Sequence, residues 1–392
     1  MDVAALRAQI PATSRVTYLN TGYSGPPPRP VVDAMTKMLE LQASEGPTSP
    51  YAFNVSRVTK TEARTAFARL LKADPEEIVL TENTTRGVNI IVSGLPWRSG
   101  DEIVTSTTEH FGVLIPLYEL RRRAGVAIRF VELDPQADEA SLMQALETAI
   151  TAKTRLLVLS HIMFTNGLRL PVAAIQQLAR RKGAQVLFDA AQCSGQLDLD
   201  VHGWGCDYYA VPGHKWLLGP AGTGALFIRQ DLVSGVAPTQ VSQMAAASFD
   251  YCGSYEPAPA RQEKFEVSTV SPALHAGVAA AVDFLSAIGM DQIEDRWTQL
   301  TDRLRAGLRN VPGVTLVSPP GGATASGLVT FTVAGWEPLA VVDEFWKQER
   351  AVIRAVVQPP AVRVSVDFFN TEDEIDRVID LVQALARQGH PE

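Results

Sequence analysis

Apolar residues gather in short unbroken runs through the middle of the chain, and the stretches between them repeat at helical spacing. The runs at 78–81, 102–106, 127–131, 155–160, 185–189, 208–211 and 224–228 predict β-strands. Several are apolar without alternation, as expected of strands covered by helices on both faces. Segments such as 112–124 and 172–182 supply the helical spacing between them. The alternation predicts an α/β unit built on a mostly parallel sheet, in which ligands collect at the carboxyl ends of the strands.

From about residue 271 the pattern changes. Two long helical stretches, 271–288 and 292–308, precede strand-like runs at 314–317 and 327–333. A helix near 339–348, a strand near 362–366 and a last helix over 372–387 follow. Thr371 and Glu374 have the spacing of a capping box at the start of that helix. This half predicts a second, smaller α+β domain over 271–392. No internal repeat or low-complexity linker interrupts either half.

Composition narrows the function. The chain has 392 residues, 46% hydrophobic and 20% charged, as in ordinary soluble globular proteins. Net charge is −8 with no basic block, which argues against nucleic acid and anionic membranes as partners. The longest apolar candidate for a membrane span, 272–288, is interrupted by His275 and Asp283. The first residues lack the apolar core and cleavage site of a signal peptide. The cysteines, Cys193, Cys206 and Cys252, are too few and too scattered for a disulfide framework or a zinc site. No metal is expected, and the reducing cytoplasm is the expected compartment.

Candidate chemistry sits where the predicted strands end. Asp189, in VLFDAAQ, closes an apolar run, where a carboxylate is costly unless paired. It fits either a helix cap or an anion that keeps a pyridine nitrogen protonated, making the ring an electron sink. Lys215, in VPGHKWLLGPAGTG, follows the next strand among Gly213, Trp216, Leu217 and Leu218. An apolar setting depresses a lysine toward nucleophilic reactivity. GPAGTG has the spacing of neither nucleotide fingerprint and predicts a tight turn. Thr84 and Thr85, between a strand and a helix, fit a helix cap or a phosphate site. His110, just past a strand, fits a structural role, stacking on a pyridine ring or proton shuttling. Arg363 fits a surface ion pair or bidentate capture of a carboxylate. Each signal is weak alone; their placement at successive strand ends makes the set specific.

The chain resembles the class V aminotransferases, a fold-type-I group of pyridoxal phosphate (PLP) enzymes that includes cysteine desulfurases and cystine or cysteine-conjugate C–S lyases. The matching stretches run from YLNTGYSG (18–25) through TENTTRG, TTEH, LVLSH, FDAAQ, GHKW and KFEVST to VRVSVDFFNTEDEID, nearly the whole chain. The resemblance implies that Lys215 holds PLP as a Schiff base and that Asp189 pairs with the pyridine nitrogen. It places Gln192 on the ring's phenolic oxygen and His110 on the ring face. Thr84, Thr85 and His214 would hold the phosphate. Thr269 would reach the neighbouring subunit's phosphate, implying a homodimer with shared sites. Arg363 would bind the substrate α-carboxylate. Arg354, which matches an arginine that precedes the desulfurase cysteine loop, is with Tyr23 and Asn166 a further candidate for substrate binding. Phe164 and Trp216 lie near the same motifs, with core packing their default role. The implied division is an N-terminal segment, 1–25, near the active site and the small domain, a PLP-binding domain over 26–270, and the small domain after it.

Two departures from the family pattern bear on the reaction. Related enzymes often carry Ser or Thr two residues before the GHK histidine, where this chain has Pro212. Desulfurases carry a nucleophilic cysteine after the arginine matching Arg354; here the segment IRAVVQPPAVRV is short and has none. A thiol is needed there to accept sulfur as a persulfide. The stretch SHIMFTNGLRLP also resembles the C–S lyase branch. The expected reaction is α-proton abstraction by Lys215 and β-elimination from cystine or a cysteine S-conjugate, giving a thiol or persulfide, pyruvate and ammonia. Open alternatives are an amino-acid epimerase, a decarboxylating or transaminating relative, desulfuration through Cys252 in the 234–261 segment, and a PLP-binding protein without turnover.

Overall fold

A computed structural model of the chain describes residues 1–258 and 260–389. The helices are α1 (Val3–Ala8), α2 (Arg29–Glu45), α3 (Pro50–Leu71), α4 (Thr84–Gly94), α5 (Phe111–Ala124), α6 (Glu139–Ala149), α7 (Val172–Arg181), α8 (Pro272–Ile288), α9 (Met290–Arg309), α10 (Pro338–Glu349) and α11 (Glu372–Gln388). The strands of the first half are β1 (Thr17–Tyr18), β2 (Ile78–Thr81), β3 (Glu102–Ser106), β4 (Ala127–Val131), β5 (Thr154–Ser160), β6 (Gln185–Asp189), β7 (Tyr208–Pro212) and β8 (Gly224–Ile228). Those of the second are β9 (Ala246–Phe249), β10 (Tyr255–Pro257), β11 (Val314–Leu316), β12 (Leu328–Val333), β13 (Ala351–Val352), β14 (Arg354–Val357) and β15 (Pro360–Ser365).

A seven-stranded sheet of order β2-β8-β7-β6-β5-β3-β4 forms the centre, with only β8 running against the rest. The unbroken apolar runs have the expected cause. Along β5, Leu156 and Val158 point into a core with α4 and α5. Leu157 and Leu159, between them, point into a core with α6, α7 and α8. Every second side chain of a strand faces the opposite layer, so a strand sandwiched by helices has no polar face. Burying each such aliphatic side chain stabilises the fold by about 1.5–3 kcal/mol.

A second sheet, β11-β12-β15-β14, is antiparallel throughout. Val329, Phe331, Val362 and Val364 pack there against Leu304 of α9, Phe345 of α10 and Ile375 and Val382 of α11. Thr371 Oγ1 accepts the Glu374 N–H at 3.2 Å and the Glu374 carboxylate accepts the Thr371 N–H at 3.1 Å, completing the capping box.

The cores divide later in the chain than the change of pattern at 271 predicts. Val278, Ala281 and Leu285 of α8, with Ile293 and Trp297 of α9, join the core of the large sheet. Leu300, Leu304 and Leu308 of the same α9 belong to the small one. The division therefore falls inside α9, because α8 is a cover for α2 and α3. The first 25 residues bridge the two: Ile10 lies in the large core and Leu19 in the small one. Among the described residues no single helix is long and apolar enough to cross a membrane. The one pair that passes together, α8 with α9, is bent by 75°.

Candidate active site

The carboxyl ends of β3, β5, β6 and β7 point to one side of the sheet, where a strand order that reverses direction leaves a crevice. A cavity of about 390 Å³ lies there. Asp189, Lys215, His110, His214, Gln192, Thr84, Thr85, Tyr23, Arg354 and Arg363, all expected from the sequence, line it.

Asp189 ends β6 and Lys215 follows the adjacent β7. The Asp189 Oδ1 accepts the Ala191 N–H at 2.9 Å, and no ion pair to the carboxylate exists among the described residues. Burial raises its pKa, opposed by Lys215 and by the Ala191 N–H. Burial pushes the Lys215 ammonium down to about 8, against Asp189 and with help from Arg363 and Arg354. An amine so placed is a nucleophile near neutral pH. The turn around it is held from outside: the Gly25 N–H donates to the His214 carbonyl at 2.8 Å. A Cβ on Gly25 would fall 2.2 Å from the Lys215 carbonyl oxygen, so only glycine permits this approach.

His110 caps α5, its Nδ1 accepting the Gly112 N–H at 3.0 Å. That fixes the tautomer with the proton on Nε2. Burial, then the fields of Lys215, Arg354 and Arg363, lower the ring to about 4 and keep it neutral. Phe164 meets it edge-on at 4.9 Å between centroids. Thr84 and Thr85 open α4, whose cap is Asn83. A Cβ on Gly112 would lie 2.5 Å from Thr85 Oγ1, so the missing side chain makes room for that hydroxyl. The His214 Nδ1 is buried without a partner.

Gln192 is pinned at both ends, its Nε2 donating to the Gly22 carbonyl at 2.9 Å and its Oε1 accepting from Trp216 Nε1 at 2.8 Å. Trp216 is fully buried, in its default packing role. Phe164, by contrast, lines the cavity. Arg363 on β15 is 1% exposed and donates to the Phe164 carbonyl at 2.6 Å. Its Nε and second terminal nitrogen are buried without partners. Burial, with Arg354 beside it, lowers its pKa to about 9.

Two candidates do not reach the cavity. Asn166 is buried, and its Oδ1 accepts the Leu168 N–H at 3.0 Å, shaping the turn behind Phe164. That corrects its expected place in the pocket of this chain. Thr269 is exposed, at φ 61°, and borders a separate cavity with Lys60, Arg86 and His275. Sequence reasoning passed over Glu109, a buried carboxyl that takes the Ser106 hydroxyl at 2.8 Å and the Ser160 hydroxyl at 2.5 Å. Burial raises it to about 7. Its signal was an acid at a strand end, the same one that marked Asp189.

A lysine and an aspartate at adjacent strand ends of this sheet define a fold-type-I PLP enzyme. The cavity suits that group: an uncompensated buried carboxylate for a ring N–H, an amine for an aldehyde, and a helix start beside a free imidazole nitrogen for a phosphate. A family model described as aminotransferase class-V matches residues 17–378, and the chain belongs to that family. It is 33% identical over 384 residues to an isopenicillin N epimerase of Streptomyces clavuligerus, covering 94% of this chain and 95% of the relative. A probable cysteine desulfurase of Methanothermobacter thermautotrophicus is 30% identical over 408 residues, 99% of each chain. The solved complex of the cystine C–S lyase C-DES with its product cysteine persulfide superposes with a TM-score of 0.90 at 30% identity, covering 96% of this chain and 99% of that one. A C-DES variant with glycine covalently linked to its PLP cofactor gives the same score and identity, covering 96% and 98%.

Proposed function

We propose that this protein is a carbon–sulfur β-lyase that cleaves cystine or a cysteine S-conjugate. The observation that carries this reading is a cavity with the full set of Lys215, Asp189, His110 and Arg363 but no cysteine thiol among its lining residues. Cys193 and Cys206 are buried, and burial drives both thiols well up from their ordinary range. Cys252 is exposed on the turn between β9 and β10, outside the cavity. Where a sulfur-accepting loop would be needed, β14 and β15 pair from Val357 and Pro360 as a tight hairpin.

PLP, when bound, accepts the electron pair released at the substrate's Cα. Lys215 Nζ would hold the cofactor's aldehyde and, as a free amine, would take the Cα proton of the bound amino acid. Asp189 would keep a proton on the ring nitrogen. His110 would cover the ring as a neutral imidazole. Thr84, Thr85 and His214 would hold the phosphate, with no hydroxyl at Pro212. Gln192 would offer its remaining amide N–H to the phenolic oxygen. Arg363 would fix the α-carboxylate and so orient the Cα–H bond, and the sulfur would leave with its bonding electrons. Exposed Thr269 and the exposed Tyr51 and Phe53 of α3 support a homodimer in which Thr269 serves the partner's phosphate. Three free thiols support a cytoplasmic site of action.

Product analysis tests this. Pyruvate with ammonia is expected from cystine or an S-substituted cysteine, unchanged in Cys252→Ala. Alanine as the product, lost in Cys252→Ala, would replace elimination with desulfuration. Recovery of the amino acid inverted at Cα would replace it with epimerisation.

The amine's titration gives a second test. Only neutral Lys215 attacks the aldehyde, and its ammonium loses its proton near 8. PLP uptake by the cofactor-free protein, followed by visible absorbance, should therefore speed up as pH rises through about 8 and level off above it. An uptake rate flat from pH 6 to 9 contradicts the depressed lysine.

A further inference from the structure

A second cavity, of about 510 Å³, opens where the loop after β5 turns into α7. It shares no lining residue with the cavity of Lys215. Its wall includes the first turn of α7, from Pro171 to Ala174. Among the described residues, the N–H groups of Val172, Ala173 and Ala174 have no acceptor, no side chain caps the helix and no acid stands in that turn. Such a turn carries partial positive charge.

A helix start alone is satisfied by water. Here a buried side chain joins it. His161 is 2% exposed and lines the same cavity. Its Nδ1 lies 2.6 Å from Tyr209 Oη, and its Nε2 makes no hydrogen bond among the described residues. Cys193 decides which nitrogen carries the proton. Its sulfur takes the Ile162 N–H, and burial keeps the thiol protonated, so the S–H needs an acceptor. Tyr209 Oη fills that role and gives its own proton to His161 Nδ1, a better acceptor than a thiol sulfur. Nε2 therefore carries an N–H. The ring is neutral, because burial and then the field of Arg169 lower it to about 3. A buried N–H in a native fold is nearly always matched by an acceptor.

Arg169 adds the charge. One terminal nitrogen donates to Glu294 Oε1 at 2.6 Å, and the rest of its guanidinium has no partner among the described residues. Glu139, which is exposed, is the one carboxylate of the lining. Trp204 meets His161 edge-on at 5.5 Å between centroids and, with Leu170 and Pro171, makes the cavity apolar away from the donors. An inorganic anion would leave most of that space to water, and a ligand with an apolar body would fill it.

We infer that this cavity is a second binding site, separate from the cofactor's, for a small organic carboxylate. Its oxygens would take the N–H groups that open α7, His161 Nε2–H and Arg169, and its body would lie against Trp204. The inference uses no residue of the proposed chemistry and does not depend on the lyase reading.

Benzoate and benzamide have nearly the same shape and differ by one charge. Calorimetric titration of the wild-type holoenzyme should show benzoate bound about tenfold more tightly or better, the worth of one charge-assisted hydrogen bond. Ala174→Glu places a carboxylate on the first turn of α7, where an acid favours the helix, so melting should not fall. By engaging the same donors it should weaken benzoate by about tenfold or more, and further than the equally long but neutral Ala174→Gln. Ala173→Glu, on the same turn, repeats the measurement if Ala174→Glu melts early. The visible cofactor band should stay unchanged throughout the titration. No binding of benzoate, equal binding of benzamide, or benzoate affinity unchanged in the glutamate variants overturns the inference. Unchanged affinity with a shifted cofactor band would place the benzoate at Arg363 instead. Pyruvate release is not read, so the lyase reading stands or falls separately.

Discussion

Lys215→Ala should lose both the visible cofactor band and turnover, the latter by roughly 10²–10⁴-fold for the missing base alone. Two roles fall on one nitrogen, so no neighbour substitutes: burial lowers the His110 ring to about 4, a weak base, and its Nδ1 lone pair is committed to the Gly112 N–H. The fold should tolerate the change. Burying the ammonium near Arg363 and Arg354 is unfavourable, as its lowered pKa records, so truncation removes a desolvated charge and leaves no apolar void. Melting of the cofactor-free variant should match cofactor-free wild type. Activity within tenfold of wild type, with the band retained, would assign the aldehyde to another group.

Asp189→Asn should be the second largest effect. The amide keeps the shape and still accepts the Ala191 N–H, so only the charge is lost. Breaking a buried ion pair costs about 3–5 kcal/mol, which at the transition state is roughly 10²–10⁴-fold in kcat. The same substitution removes the group that raises the Lys215 pKa. The pH limb for PLP uptake should therefore move below its wild-type position near 8. A kcat within threefold of wild type, or a limb that moves upward, contradicts the pairing of Asp189 with a ring proton.

Much of the large sheet was legible because its inner strands are buried on both faces, while the exposed edge strand β4 is marked by its Ile, Phe and Val. β2, β3, β4, β6 and β8 run over the residues their apolar runs predict. The long helices α2 and α3 left little trace. Half of the residues that α3 buries are alanine, Ala52, Ala63, Ala66 and Ala68, too small a contrast to stand out. The hairpin of β9 and β10 pairs exposed residues, so no burial pattern marks it. Asp189, Lys215 and His110 could be placed because each follows a strand of known direction. Asn166 follows β5 by a turn, and the turn aims its amide at the Leu168 backbone instead. Thr269 depends on a surface of the fold, which spacing along one chain does not encode. Arg363 and Arg354 were both visible as substrate-binding candidates, but that they face each other follows only from the register of β14 with β15.

The pairing of β1 with β13 sets an order of assembly. Thr17 and Tyr18 pair with Ala351 and Val352, and the Ser365 N–H donates to the Leu19 carbonyl. A nascent chain shorter than 351 residues offers β1 no partner, although β1 itself emerged almost at the start. The wall carrying Gly22, Tyr23 and Ser24 is thus held twice: by Gln192 and His214 of the large sheet, available once about half the chain is made, and by the strand pairing, available only after nearly all of it. The late contact ties the small domain to a wall that the early ones have already set against the strand ends of Asp189 and Lys215.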